Sequence, residues 1–246
     1  METYINLNRR QAIDIITIDF SNAFDTVNIS LLIQKLQQYG ICSKLSSLLY
    51  TYLNNRYQQV LIDGILSEQE LIASGVPQGF ILSPTIFKIY IDELLKHKFY
   101  SHVYAFADNV KIVGYPGPEM QAILNYLSNW AKINFLKFNI AKCEVLHLGS
   151  NNISQEYSIN VILIPSVSFI KDLGIYFDNE LKFSKNISII QAKCLRLIGA
   201  LFKIFHYNKP ELYLKFYKIY ILPLVDYGSI LFSGTSAAVD NNIEKF

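Results

Sequence analysis

The chain has 246 residues, of which 51% are hydrophobic, 14% aromatic and only 17% charged. That composition excludes a disordered chain and predicts a large buried core, in one domain or a domain with an appendage. With 22 Lys and Arg against 20 Asp and Glu, a net charge of +2, no bulk positive field marks the chain as a nucleic-acid binder, so any basic surface must be local.

Met1 to Arg10 has no apolar core of the signal-peptide type, and no window runs to about eighteen uncharged apolar residues, which argues against secretion and membrane spanning. Cys42, Cys143 and Cys194 are odd in number and widely spaced. They predict free thiols in a reducing, intracellular compartment rather than a disulfide or zinc framework.

Ala12 to Asp19 condenses into the β-branched run Ile15, Ile16 and Ile18, which predicts a buried strand ending on a carboxylate. Ile29 to Tyr39 and Lys44 to Leu53 carry helical spacing, stopped at Gly40 and near Asn54-Asn55. Asp63-Gly64, between Gln58–Ile62 and Ile65 onward, predicts a tight hairpin turn because both positions tolerate positive φ. Gly75-Val76-Pro77-Gln78-Gly79 reads as a rigid loop, with Ser83 as N-cap and Pro84 in the first turn of a helix to about Leu95.

His102–Phe106 and Val110–Val113 predict a strand pair joined through Ala107-Asp108-Asn109, a turn whose tip carries a carboxylate and a carboxamide. Glu119–Phe135 reads as an amphipathic helix, Cys143–Leu148 as a strand, and Phe169–Phe177 as another strand around Leu173-Gly174-Ile175. Lys185 to Phe232 is helical throughout, interrupted at Pro210 and Pro223, and carries Lys193, Arg196, Lys203, Lys209, Lys215 and Lys218. The whole is an α+β order with a basic helical unit at its end.

Asp19 at a strand end and Asp108 in a strand-hairpin turn let adjacent strands present two carboxylates at one edge, a pair suited to Mg²⁺. Phosphoryl transfer onto a growing strand uses two hard cations about 3.5–4 Å apart, one at the attacking hydroxyl and one at the leaving group. Taken singly, such carboxylates are commonplace in turns.

The stretch Asp19-Phe20-Ser21-Asn22-Ala23-Phe24-Asp25-Thr26-Val27 resembles the first catalytic motif of non-LTR retrotransposon reverse transcriptases of the LINE and jockey kind, commonly Asp-Phe-Ser-Lys-Ala-Phe-Asp-x-Val. Gly75-Val76-Pro77-Gln78-Gly79 is similar to their second motif and Phe106-Ala107-Asp108-Asn109 to their Phe/Tyr-Ala-Asp-Asp box. Asn139 with Lys142, and then Leu173-Gly174, resemble the two smaller motifs that follow. The resemblance runs from about Ala12 to Phe232. It implies a right-hand polymerase palm, a ferredoxin-like antiparallel sheet with helices over 1–180, followed by a helical thumb over 181–246. With so little chain ahead of Asp19, it also implies that the fingers are largely missing.

By that resemblance Asp19, Asp108 and Asn109 form the catalytic set, with Asp19 and Asp108 as ligands of Mg²⁺ or, alternatively, Mn²⁺. Phe20, Phe24, Gln78, Gly79 and Lys142 belong to the nucleotide site: Phe24 as the gate against a ribose 2′-hydroxyl, Gln78 and Gly79 along template base and incoming nucleotide, Lys142 at the triphosphate or as proton donor. Lys193, Arg196, Lys203 and Lys218 grip nucleic acid. The implied partners are an RNA template, a DNA primer and deoxynucleoside triphosphates, and the implied location is nuclear. Each residue keeps a plainer alternative: Phe24 as core aromatic, Gly79 as turn residue, Lys142 and the basic helices as solvated charge. Asp25 reads as structural, capping the helix that begins near Ile29.

Three positions depart from the family pattern. Asn109 replaces the second Asp of the box, keeping its size but losing the charge that helps hold a cation. Asn22 replaces a Lys, and Phe80 replaces a small residue after Gln-Gly, where it is expected to crowd the nucleotide pocket. Weakened catalysis follows, with a non-catalytic nucleic-acid-binding remnant of a retrotransposon polymerase as the alternative.

Overall fold

The computed structural model describes residues 12–99, 101–204 and 210–232. Met1–Arg10 and Lys209 lie outside the described residues. Strand β1 (Ile13–Asp19) leads to helices α1 (Ile29–Gln38) and α2 (Ser43–Leu53), then the short strands β2 (Arg56–Gln58), β3 (Leu61–Ile62), β4 (Ile65–Leu66) and β5 (Glu70–Ile72). Helix α3 (Ser83–Lys96), strands β6 (His102–Phe106) and β7 (Asn109–Gly114), helix α4 (Pro118–Ile133) and strands β8 (Glu144–Leu148), β9 (Ser158–Ile159) and β10 (Ile162–Leu163) follow.

A five-stranded sheet has the order β11-β8-β1-β7-β6, β11 being Ser166–Val167. Its centre is the antiparallel ladder of β1 with β7, in which Ile18 faces Val110 and Ile16 faces Ile112. All four side chains are buried, so the register is held by a hydrophobic pattern that a one-residue slip would turn to the wrong face. The apolar stripes of α1 (Leu32, Leu36), α3 (Ile86, Phe87, Tyr90, Leu94) and α4 (Met120, Leu124, Leu127, Trp130) join the same core.

A charged group of α1 is drawn into that core. Lys35, only 5% exposed, donates to Tyr90 O at 2.8 Å and Glu93 Oε1 at 2.6 Å. Trp130 Nε1 donates to the same carboxylate oxygen at 2.8 Å, and Tyr90 Oη donates to Asn134 O at 2.6 Å. Burial pulls the Lys35 ammonium below its ordinary value although Glu93 opposes it. The network ties α1, α3 and the end of α4 together, and leaving any member unpaired would cost more than the bond itself returns.

Several expected elements sit differently. Asp63-Gly64 makes the β3–β4 turn with φ of +50° and +82° as expected, but the apolar run before it is divided, with β2 pairing to β5 instead. Ser83 is the first helical residue rather than the N-cap, which is Leu82, because its hydroxyl donates backward to Pro77 O. Asn28, not Asp25, caps α1, its side chain accepting from Leu31 N at 2.9 Å. Asn109 opens β7, so the tight turn is Ala107-Asp108 alone. Leu173-Gly174 is not strand but the turn of a hairpin between β12 (Phe169–Asp172) and β13 (Ile175–Asp178), with φ of +45° and +88°.

Two compact units are present, residues 1–145 with 151–166, and residues 146–150 with 167–246. The second carries the β12–β13 hairpin and helices α5 (Ser184–Ile204), α6 (Pro210–Phe216), α7 (Leu222–Asp226) and α8 (Ser229–Phe232). Ile187, Cys194 and Leu201, seven residues apart, form the buried stripe of α5, a spacing that keeps them on one side. Ahead of Pro223 the helix widens to a π-turn over Tyr217–Ile221, because Pro223 lacks an N–H and its ring crowds the preceding turn.

Candidate active site

At the end of the β1–β7 ladder Asp19 pairs with Asn109, and Asp108 stands next to it in the β6–β7 turn. Asp19 is held there by its own backbone: its carbonyl accepts from Asn139 N at 2.8 Å, and Ser21 N donates to Lys137 O at 2.7 Å. The following turn over Ile140–Lys142 starts from Asn139 and brings Lys142 Nζ to 3.1 Å from Asp19 Oδ2. With its ammonium end largely exposed, that ion pair adds little stability. It shows that the Asp19 carboxylate presents itself to a cation.

A cleft of about 410 Å³ opens over these groups. Its lining includes Asp19, Phe20, Asn22, Phe24, Asp25, Gln78, Gly79, Asp108 and Lys142. Every nucleotide-site residue expected from the sequence therefore borders one cavity, with both expected metal ligands. Asn109 is exposed and outside the lining. The Phe20 ring is 2% exposed and stacks on Phe138 at 5.0 Å, so its aromatic body is core. Phe24 packs against Phe87 at 4.8 Å and is half-buried, fixed from behind.

The loop Gly75–Gly79 is fastened to the segment after β1. Val76 N donates to Phe24 O at 2.7 Å, Gly75 N to Val27 O at 2.8 Å and Ser74 Oγ to Asp25 O at 2.8 Å. Arg56 closes the other side, donating to Ser74 O at 3.2 Å and Gly75 O at 2.6 Å. Gly75 has φ +85°, and a Cβ there would lie 2.6 Å from Asp25 Cα, so close approach demands glycine. Gly79 has φ +82° with open space beside it. Arg56 and Asp25 are site-building residues that sequence reasoning does not find, since nothing in their spacing links them to this loop.

Phe80 does not crowd the cleft. It is exposed, turned toward Tyr52 with ring centroids 5.9 Å apart, and absent from the lining. Lys193, Arg196 and Lys203 are exposed on α5, and Lys218 on the π-turn. Arg196 and Lys203 lie two residues past Cys194 and Leu201, on the side of the helix away from its buried stripe.

The acidic side chains that line the cleft, Asp19, Asp25 and Asp108, are hard oxygen donors, the chemistry that holds Mg²⁺. No cluster of three or more His, Cys, Asp or Glu side chains that could hold a metal ion occurs among the described residues. Cys42, Cys143 and Cys194 are free thiols, and no described helix is long and apolar enough to cross a membrane.

The cleft thus lies at the end of the antiparallel β1–β7 ladder and is lined by carboxylates. The profile of the reverse transcriptase (RNA-dependent DNA polymerase) family matches residues 3–199, and the chain belongs to that family. It is 28% identical over 188 residues to the RNA-directed DNA polymerase from mobile element jockey of Drosophila melanogaster, covering 71% of this chain and 20% of that protein. It is 29% identical over 97 residues to the retrovirus-related Pol polyprotein from type-1 retrotransposable element R2 of Popillia japonica, covering 39% and 16%. The chain thus spans about a fifth or less of these relatives' length, and what it carries is a reverse transcriptase domain of the non-LTR retrotransposon kind. Among solved structures, telomerase from Candida tropicalis shares the fold, with TM-scores of 0.52 for the apo form and 0.51 for the complex with a telomeric RNA fragment. The identities are 9% and 10%, covering 72% and 98% of this chain and 34% and 48% of those.

Proposed function

We propose that this chain is the palm, over 1–180, and the start of the thumb, over 181–246, of an RNA-directed DNA polymerase that extends a DNA primer on an RNA template with deoxynucleotides. The observation that carries the reading is that Asp19, Asp108, Phe24, Gln78, Gly79 and Lys142 all line one cleft.

Asp19 and Asp108 would hold Mg²⁺ or Mn²⁺. When bound, the metal activates the attacking 3′-hydroxyl and neutralises charge on the leaving pyrophosphate. Phe24, fixed by Phe87, would close off the room that a ribose 2′-hydroxyl needs. The open backbone at Gly79 lets a nucleotide approach closely. Lys142, whose side chain is 68% exposed, is free to leave Asp19 and meet the triphosphate. Lys193, Arg196, Lys203 and Lys218 offer charge to the phosphates of the duplex.

Asn109 supports a second reading, a folded binder with little turnover, because one cation would be held without a carboxylate on that strand. The test is Mg²⁺-dependent primer extension on an RNA template by the natural chain beside Asp19→Asn. Extension abolished in the variant supports the polymerase. Extension unaffected by the variant contradicts the assignment of Asp19.

A further inference from the structure

Resting on that reading, we infer that Asp25 is a positioning residue which sets the orientation of the Gln78 carboxamide, so that Gln78 Oε1 faces the cleft as an acceptor for a donor group on the incoming nucleotide. Gln78 Nε2 lies 3.0 Å from Asp25 Oδ1 and 3.1 Å from Oδ2. A carboxylate only accepts, whereas a carboxamide donates at one end and accepts at the other. The opposite rotamer would set Gln78 Oε1 against two carboxylate oxygens, so the pairing itself decides which end is which.

The Asp25 side chain is not needed to attach the two loops. That attachment is made by other groups: Val76 N to Phe24 O, Gly75 N to Val27 O and Ser74 Oγ to the main-chain oxygen of Asp25. The helix cap that Asp25 could have supplied is made by Asn28. What is left for the carboxylate is its bond to Gln78 in the cleft. Both side chains are accessible in the free chain, so their bond adds little to folding. It gains strength when a nucleotide covers the cleft and excludes water.

The test measures nucleotide-dependent retention of a DNA primer–RNA template complex, and steady-state extension where it occurs, for the full chain and its Asn109→Asp form. Each is compared with Asp25→Asn, Gln78→Ala and the double variant. Asp25→Asn keeps the shape but brings its own amide, so either Gln78 rotamer is accommodated. The expected result is a five- to tenfold weaker nucleotide affinity with kcat within twofold, an unchanged melting temperature, and no further weakening when Asp25→Asn is added to Gln78→Ala. Effects that multiply in the double variant, or an affinity within twofold of the parent in Asp25→Asn while Gln78→Ala weakens it, overturn the inference and leave the polymerase reading intact. Absence of nucleotide-dependent retention in both the natural and Asn109→Asp chains overturns the polymerase reading and the inference together.

Discussion

Asp19 and Asn109 stand directly opposite each other on adjacent antiparallel strands, the carboxylate on β1 and the carboxamide on β7. Residues so paired project to the same face. The position at which the family pattern has the second carboxylate of the box is thus occupied by a neutral group beside Asp19.

Replacing Asn109 by Asp would place two like charges across that rung. Without a divalent cation the variant is expected to melt about 1–3 °C lower at low salt, the size of a cross-strand repulsion of up to about 1 kcal/mol in a chain this long. With Mn²⁺ the order reverses, and binding followed by electron paramagnetic resonance should be roughly tenfold tighter than in the parent. Equal affinities would show that position 109 does not touch the ion.

Gly75→Ala should damage the site without removing any chemical group. A side chain at φ +85° costs about 1–3 kcal/mol, and the added Cβ meets the Asp25 backbone at 2.6 Å. The expected outcome is a melting temperature several degrees lower and at least tenfold weaker nucleotide-dependent retention, measured beside Gly40→Ala. Gly40 also has positive φ but nothing within 4 Å of a Cβ, so that control carries the strain alone.

Tyr90 gives the fold an alkaline limit. Burial pushes its phenol up from 10.0 to about 12. Between those values the unfolded chain gives up the proton and the folded chain keeps it, so stability contributed by neutral Tyr90 is complete below pH 10 and is lost as pH climbs through about 12. Denaturant melts from about pH 9 to 12 should show this decline. Tyr90→Phe should make it shallower, not abolish it, because burial also raises the Tyr157 phenol, while removing the bond to Asn134 O.

Neutralising Lys193, Arg196, Lys203 and Lys218 together should weaken primer–template binding and flatten its dependence on salt. Removing one phosphate contact lowers the log–log slope by about 0.9 for a duplex, so a change of about three to four is expected if all four touch the primer–template duplex. A parallel line at lower affinity would assign them to folding instead.

Much of the site is legible in order along the chain, because its residues sit in short motifs whose backbone demands glycine or a strand end. Gly75, Gly79 and Asp108 are of this kind. What is not legible depends on segments far apart in sequence. Lys35 follows helical spacing as a solvent residue would, yet is 5% exposed because α3 and α4 bring Glu93 and Trp130 to it. Arg56 and Asp25 find the Gly75–Gly79 loop only after folding. The sequence pattern puts Phe80 inside the pocket, but the turn after Gly79 sends it outward to Tyr52. Leu173-Gly174 reads as strand on hydrophobicity, although its glycine already offers the positive φ of a turn.

The most direct measurement is the rate of Mg²⁺-dependent DNA primer extension on an RNA template by the natural chain, Asn109→Asp and Asp19→Asn, with folding and template binding matched among them. A reverse transcriptase palm weakened at one cation-holding position predicts slow extension by the natural chain, at least a tenfold gain in Asn109→Asp, and none in Asp19→Asn. Equal rates in the natural chain and Asn109→Asp, or silence from a folded, template-bound Asn109→Asp, would contradict it.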